Sequence, residues 1–363
     1  MDIKDLVIYR NLEHQELFRD IAHLMGYAQG GQEPDGASCG GRLAELAVKY
    51  GFEGNLWHCF LAFCLANNEN AYTTTCEITG AAGGSLDELA REDCRIFKVL
   101  FDYDIRNLEP SGLWALMENY KPARKDSRVF NRRVRNRIVN LAVQLEESAD
   151  AGQFQDHVVE FYREFGVGKF GLNKAFRIIE KEEGQPVIID PIINVEHINF
   201  KDIVGYELQK QKLIENTEAF VDGKEANNVL LFGDAGTGKS SSVKAVLNEY
   251  YARGLRIIEV YKHQFKALSN VMEQIKDRNY KFIIYMDDLS FEDYELEYKY
   301  LKAILEGGLG KRPGNVLIYA TSNRRHLIRE KFSDKRELDD ELHNNDTVQE
   351  KLSLAARLGV TIY

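Results

Sequence analysis

Through the first half of the chain apolar residues recur at three- and four-residue spacing, as in HQELFRDIAHLM, GGRLAELAVKYGF and RIVNLAVQLEES. That is the period at which an α-helix buries one face. It predicts a mostly α-helical N-terminal domain over residues 1–183, punctuated by glycine-rich breaks at 30–41 and 79–84. No unit of roughly 20–50 residues repeats, so a solenoid is not expected. At GQPVIIDPIINVEHINFKDIVG the texture changes. Pro186 and Pro191 interrupt short β-branched runs there, which predicts a linker or extended arm over residues 184–198.

Past that point the apolar residues run continuously in short bursts: Val229–Phe232, Leu255–Val260, Phe282–Met286, Val316–Ala320 and finally Val360–Tyr363. Helical stretches separate the first four. Continuous apolar strands alternating with helices are what a parallel sheet covered on both faces requires. Residues 199–363 are therefore expected to form an α/β domain on a five-stranded parallel sheet.

With 363 residues and 44% apolar content, the chain can bury the two cores this division demands, since single domains hold about 100–200 residues. A net charge of −10 excludes a global positive field that would draw it to nucleic acid or an anionic membrane. The exception is local. KPARKDSRVFNRRVRNR gathers Lys121, Arg124, Lys125, Arg128, Arg132, Arg133, Arg135 and Arg137. Binding of a nucleic-acid backbone is one reading of Lys121–Arg137. Pairing with the carboxylates of LEESADAGQFQDHVVEFYREF, or with a second subunit, is favoured over it.

The first residues lack a basic segment followed by an apolar one, as a secretory signal would have. The longest apolar run, Leu56 to Ala66, contains His58 and falls well short of the ~20 residues a membrane helix needs. A soluble, cytoplasmic protein without membrane contact is expected. Cys39, Cys59, Cys64, Cys76 and Cys94 are odd in number and lack metal-ligand spacing, which predicts buried free thiols.

The chemistry follows the first strand of the second half. Gly233, Asp234, Ala235, Gly236, Thr237, Gly238, Lys239 and Ser240 match G-x-x-x-x-G-K-[ST], and Ser241 leads into the helical SSVKAVLNEYY. The glycines allow successive backbone N–H groups to point inward at phosphate oxygens, and the helix N-terminus adds partial positive charge. Lys239 would reach the β- and γ-phosphates, and Ser240 would offer a hydroxyl to Mg²⁺.

Lys281–Asp288 reads as an apolar strand ending in two carboxylates. A hard cation that keeps most of its waters needs a carboxylate at the sheet's C-terminal edge. Asp287 is assigned to Mg²⁺, and Asp288 to polarising the attacking water. Glu292 could stand in for it. The fourth strand ends in Tyr319-Ala-Thr-Ser-Asn323. With the strand order 5-1-4-3-2, Asn323 would hold the hydrolytic water or touch the γ-phosphate.

These segments, with DIVGYELQKQKL ahead of the first strand, resemble the AAA+ ATPases in kind and order. The DDLSFE, LEGGL and ATSNRRHL runs are similar to those of a bacterial AAA+ ATP-binding family of unknown physiological role. The resemblance covers residues 199–357 and is weak before them. It implies a P-loop NTPase core, an adenine pocket lined by Ile203, Val204 and Gly205, and homo-oligomers. It also implies a finger arginine reaching a neighbouring subunit's ATP. Arg357 in LSLAARLGV stands at that position, with Arg324 and Arg325 as rivals. The family carries a helical lid after the fifth strand, and the sequence stops at Tyr363 without one, so slow turnover is expected.

The function implied is an ATPase that couples Mg-ATP binding and hydrolysis to remodelling or loading of a macromolecular partner, which the sequence does not identify. The alternative is a nucleotide-dependent scaffold with little hydrolysis, suggested by aspartate at 288 where many AAA+ proteins have glutamate. A small-molecule kinase or GTPase is disfavoured, since no N-K-x-D motif occurs.

Overall fold

Leu56–Asn67 is apolar on every side, and each residue from Leu56 to Ala66 is buried. A helix without a polar face can sit only inside a core. The computed structural model, which describes residues 2–30, 32–122, 130–181, 185–290, 296–306, 313–323 and 360–362, places it there. Amphipathic helices surround it, among them Gln15–Leu24, Gly36–Tyr50, Gly84–Asp102, Arg132–Glu146 and Ala151–Phe165. Asn55 caps its first turn by accepting from the His58 N–H at 3.1 Å. The longest apolar run of the sequence is thus the axis of a helical unit. No helix among the described residues is long and apolar enough to cross a membrane.

The chain divides into two compact units, Met1–Asn173 and Lys174–Tyr363. In the first, Asp93 is fully buried and accepts three backbone N–H groups, from Val7 at 2.9 Å, Ile8 at 2.7 Å and Tyr9 at 2.9 Å. One carboxylate thereby pins the N-terminal segment to the helix Gly84–Asp102. All five cysteines are free and buried. Burial pushes the Cys39 thiol up to about 11 and that of Cys59 up to about 12, which suits packing and not reactivity.

The second unit is built on one sheet, with seven strands among the described residues. These are β1 (Ala175–Ile179), β2 (Ile188–Pro191), β3 (Val229–Phe232), β4 (Leu255–Glu259), β5 (Lys281–Met286), β6 (Val316–Ser322) and β7 (Val360–Ile362). They lie in the order β2-β1-β4-β5-β6-β3-β7. β2 alone runs antiparallel to its neighbour. The sheet is therefore mixed and wider than the five-stranded parallel sheet expected. The strands foreseen in the sequence occupy β7-β3-β6-β5-β4, and a hairpin extends the β4 edge.

That hairpin also corrects the limits of the segments. Residues 174–181 belong with the sheet and not with the helical domain, and the stretch expected as a linker, 184–198, holds β2. The prolines misled for a physical reason. β2 is an edge strand and Pro191 is its last residue, a position where a missing N–H costs the ladder nothing. Phe176, Ile178 and Ile189 are buried and anchor the pair.

Candidate phosphate-loop site

β3 is buried from Val229 to Leu231 and ends at the loop Gly233–Gly238. The loop turns into the helix Lys239–Tyr250, whose Val243, Val246, Leu247 and Tyr250 pack on the sheet. Gly238 caps that helix with φ +85°, and Gly236 has φ +80°, a left-handed conformation glycine adopts without steric cost. The Gly233 N–H donates to Ser322 O at 3.2 Å, fastening the loop to the end of β6. Thr237 Oγ1 donates to Asp234 O at 2.9 Å. Lys239 is drawn back over the loop, with Nζ donating to Gly233 O and Asp234 O, both at 2.7 Å. Ser240 and Ser241 lie in the helix's first turn, where the unpaired N–H groups of a helix begin.

Asp287 follows the last residue of β5 and faces this helix. Its Oδ1 accepts from Ser240 Oγ at 2.9 Å, from Tyr285 OH at 2.6 Å and from Thr321 Oγ1. Partial burial pushes the Asp287 carboxyl up, but the bonds from Thr321, Tyr285 and Ser240 together outweigh it and hold it below its ordinary value of 3.8. Burial, with the Asp287 charge adding to it, drives the Tyr285 phenol far above its usual range. An ionised carboxylate beside a serine hydroxyl, both on rigid elements next to the glycine-rich loop, is an all-oxygen donor set that suits Mg²⁺.

Asp288 sits in a turn with φ +49°, a conformation that aspartate tolerates better than most residues. Its N–H donates to Thr321 Oγ1 at 2.9 Å, and Leu289 N–H donates to Thr321 O at 2.7 Å. Asn323 Nδ2 donates to Asp288 Oδ1 at 2.9 Å. The ends of β5 and β6 therefore bring Asp287, Asp288 and Asn323 together beside the loop.

Next to the loop opens a cleft of about 670 Å³, counting the solvent at its mouth. Ile203, Tyr206, Gln209, Lys210, Leu213 and Ile362 line it together with Gly233, Asp234 and Thr237. Of the three residues expected to form an adenine pocket, Ile203 faces this space. Val204 does not line it and is 90% exposed, and Gly205 is likewise not part of the wall. The chain turns outward there, with left-handed backbone at Gly205 and Tyr206, before the helix Glu207–Val221 begins. The wall is instead supplied from that helix and from β7.

Two residues of the site had escaped the sequence reading, Tyr285 and Thr321. Tyr285 carried a usable signal, since positions i and i+2 of a strand share a face and Asp287 is two residues on. Thr321 had none, because it meets Asp287 only through strand pairing. Arg357, Arg324, Arg325 and Glu292 lie outside the described residues. In the basic segment, Arg135 pairs with Glu53 at 2.7 Å. Arg137 donates to Gly171 O at 3.1 Å and covers the Phe165 ring at 4.2 Å. These two are engaged within the helical unit itself.

Residues 172–363 match the model of a family described as "Protein of unknown function (DUF815)". Over 189 residues the chain is 24% identical to Proteasome-activating nucleotidase 1 of Haloferax volcanii, covering 44% of this chain and 46% of that protein. Over 81 residues it is 33% identical to the Replication factor C large subunit of Staphylothermus marinus, covering 22% of this chain and 18% of that one. A solved structure described as "Crystal Structure of the DnaI" aligns with a TM-score of 0.33 at 16% identity, over 53% of this chain and 94% of that one. The chain spans less than half the length of these two curated relatives.

Proposed function

The chain belongs to the family described as "Protein of unknown function (DUF815)", and from that premise and the site we propose that it is an AAA+-type ATPase. In this reading it binds Mg-ATP at Gly233–Ser240 and couples hydrolysis to remodelling or loading of a macromolecular partner. One observation carries the proposal. Ser240 and Asp287, 47 residues apart in sequence, converge to 2.9 Å beside the phosphate loop. The likeness to a nucleotidase and to a replication factor supports nucleotide chemistry and work on a large partner.

The loop's inward N–H groups would hold the phosphates. Lys239 would exchange the carbonyls of Gly233 and Asp234 for β- and γ-phosphate oxygens, and Ser240 with Asp287 would hold the metal ion. Held by Ser240 and Asp287, Mg²⁺ would supply positive charge against the negative charge that develops during transfer. Asp288 would accept the proton of the attacking water, with Asn323 fixing the carboxylate's orientation. Ile203 and the cleft wall beside it would take the base.

Assembly into homo-oligomers, with Arg357 acting across subunits, belongs to the same proposal, as does a cytoplasmic location. Sedimentation with and without Mg-ATP tests the assembly. Calorimetric titration tests the binding itself. Each charge-assisted hydrogen bond from Lys239 is worth roughly 1.5–3 kcal/mol, so Lys239→Ala should weaken ATP binding at least about tenfold. Equal affinity in the two proteins, or no binding by the wild type, would overturn the reading.

A second reading, a nucleotide-dependent scaffold with little hydrolysis, draws on one observation. The short Asp288 carboxylate is already engaged by Asn323.

A further inference from the structure

We infer that Tyr285 is a positioning residue for the metal ion, acting through Asp287; the inference rests on the Mg-ATP reading of the site. Tyr285 is 7% exposed, and its ring is part of the apolar cluster with Leu255, Ile257 and Ile283. Phenylalanine would fill that space equally well. What the hydroxyl adds is polar contact, above all its bond to Asp287 Oδ1 at 2.6 Å.

The three donors on that oxygen differ in what nucleotide binding would do to them. Ser240 stands on the phosphate-loop helix and moves with it, although its hydroxyl can go on donating its proton to Asp287 while an oxygen lone pair turns to a cation. Tyr285 and Thr321 stand on β5 and β6, in the middle of the sheet, and have no reason to move. All the described hydrogen bonds to the Asp287 carboxylate fall on Oδ1. Two donors fixed on the sheet therefore hold one oxygen however the loop helix shifts, keeping the carboxylate from rotating and leaving Oδ2 to face the ion's water shell. Partners that orient a metal-binding group in this way typically alter metal affinity ten- to hundredfold.

The test is ATP binding by wild type and Tyr285→Phe, titrated with MgCl₂ and repeated in EDTA. The variant should need about tenfold more Mg²⁺ for half of the metal-dependent gain in affinity, while binding in EDTA stays as in the wild type. A merely structural tyrosine would weaken both to the same degree, and that result overturns the inference, as does an unchanged Mg²⁺ requirement. Lys239→Ala separates this from failure of the Mg-ATP reading. If wild type and Lys239→Ala bind alike, or wild type gains nothing from Mg²⁺, both fall. If only the Tyr285→Phe shift is missing, the positioning role alone falls.

Discussion

Asp288→Asn isolates the proposed base with little collateral damage, for reasons visible in the turn after β5. Position 288 has φ +49°, and asparagine is among the residues that accept this conformation most readily. The bond from the 288 N–H to Thr321 Oγ1 is a backbone bond and survives the change. Asn323 can still donate to an amide oxygen where it now donates to Asp288 Oδ1. Stability should therefore move by no more than about 0.5 kcal/mol. Mg-ATP affinity should hold within about twofold, because Asp287 and the loop are untouched. Only the capacity to take a proton is lost, and general base catalysis contributes about 10²–10⁴-fold, equivalent to roughly 2.7–5.4 kcal/mol of barrier. Single-turnover hydrolysis with protein in excess over ATP reads the chemical step without product release. A variant within about threefold of wild type refutes the assignment of Asp288 as base. Tight Mg-ATP binding by the wild type with no measurable single turnover would favour the scaffold reading.

Asp93→Ala should cost about 3–5 kcal/mol, since three backbone N–H groups, one buried and two part-buried, lose their acceptor at roughly 1–3 kcal/mol each with some recovered by water; a loss below about 1 kcal/mol in urea unfolding would refute the clamp. His58 supplies a pH dependence. Burial lowers its pKa below the ordinary 6.5, only partly offset by Glu146 at 3.7 Å and by the 2.8 Å bond between Nε2 and Phe101 O. A depressed histidine pKa favours the neutral form in the native state, so this contribution is present above pH 6.5 and lost as pH falls through the lowered value. Thermal midpoints should drop between about pH 7.5 and 5.5, and drop less in His58→Gln. Equal drops in the two proteins would refute it.

The strand, glycine-rich loop and helix around Gly233–Ser240 were legible because their signal is contiguous. Gly233 to Ser240 carry glycine, lysine and serine at fixed offsets, and the backbone does the rest. Asp287 was legible because an apolar run announced the strand and a carboxylate ended it. β1 and β2 were not, because edge strands need neither a long apolar run nor freedom from proline. β1 fell inside the stretch 1–183 read as helical, and Pro186 and Pro191 made the segment of β2 read as a linker. Val204 was misplaced because a motif fixes sequence offset and not the direction the chain takes, and Gly205 and Tyr206 turn it outward. The helix Leu56–Asn67 was noticed only as too short for a membrane, although eleven consecutive buried residues are equally the mark of a central helix.

What strand pairing adds is a link between the two carboxylates that no motif encodes. The Thr321 hydroxyl donates its one proton to Asp287 Oδ1 and accepts from the Asp288 N–H at 2.9 Å. A hydroxyl has a single donor and can serve both only while the two residues keep this spacing. Asp287 binds the metal and Asp288 meets the water in the proposed reaction, so any shift of Asp287 toward a bound ion is felt at the backbone of Asp288 through one side chain. The adjacency of the two aspartates in sequence therefore understates their coupling. The residue that couples them comes from β6, whose end also carries Asn323, which holds the Asp288 carboxylate from the other side.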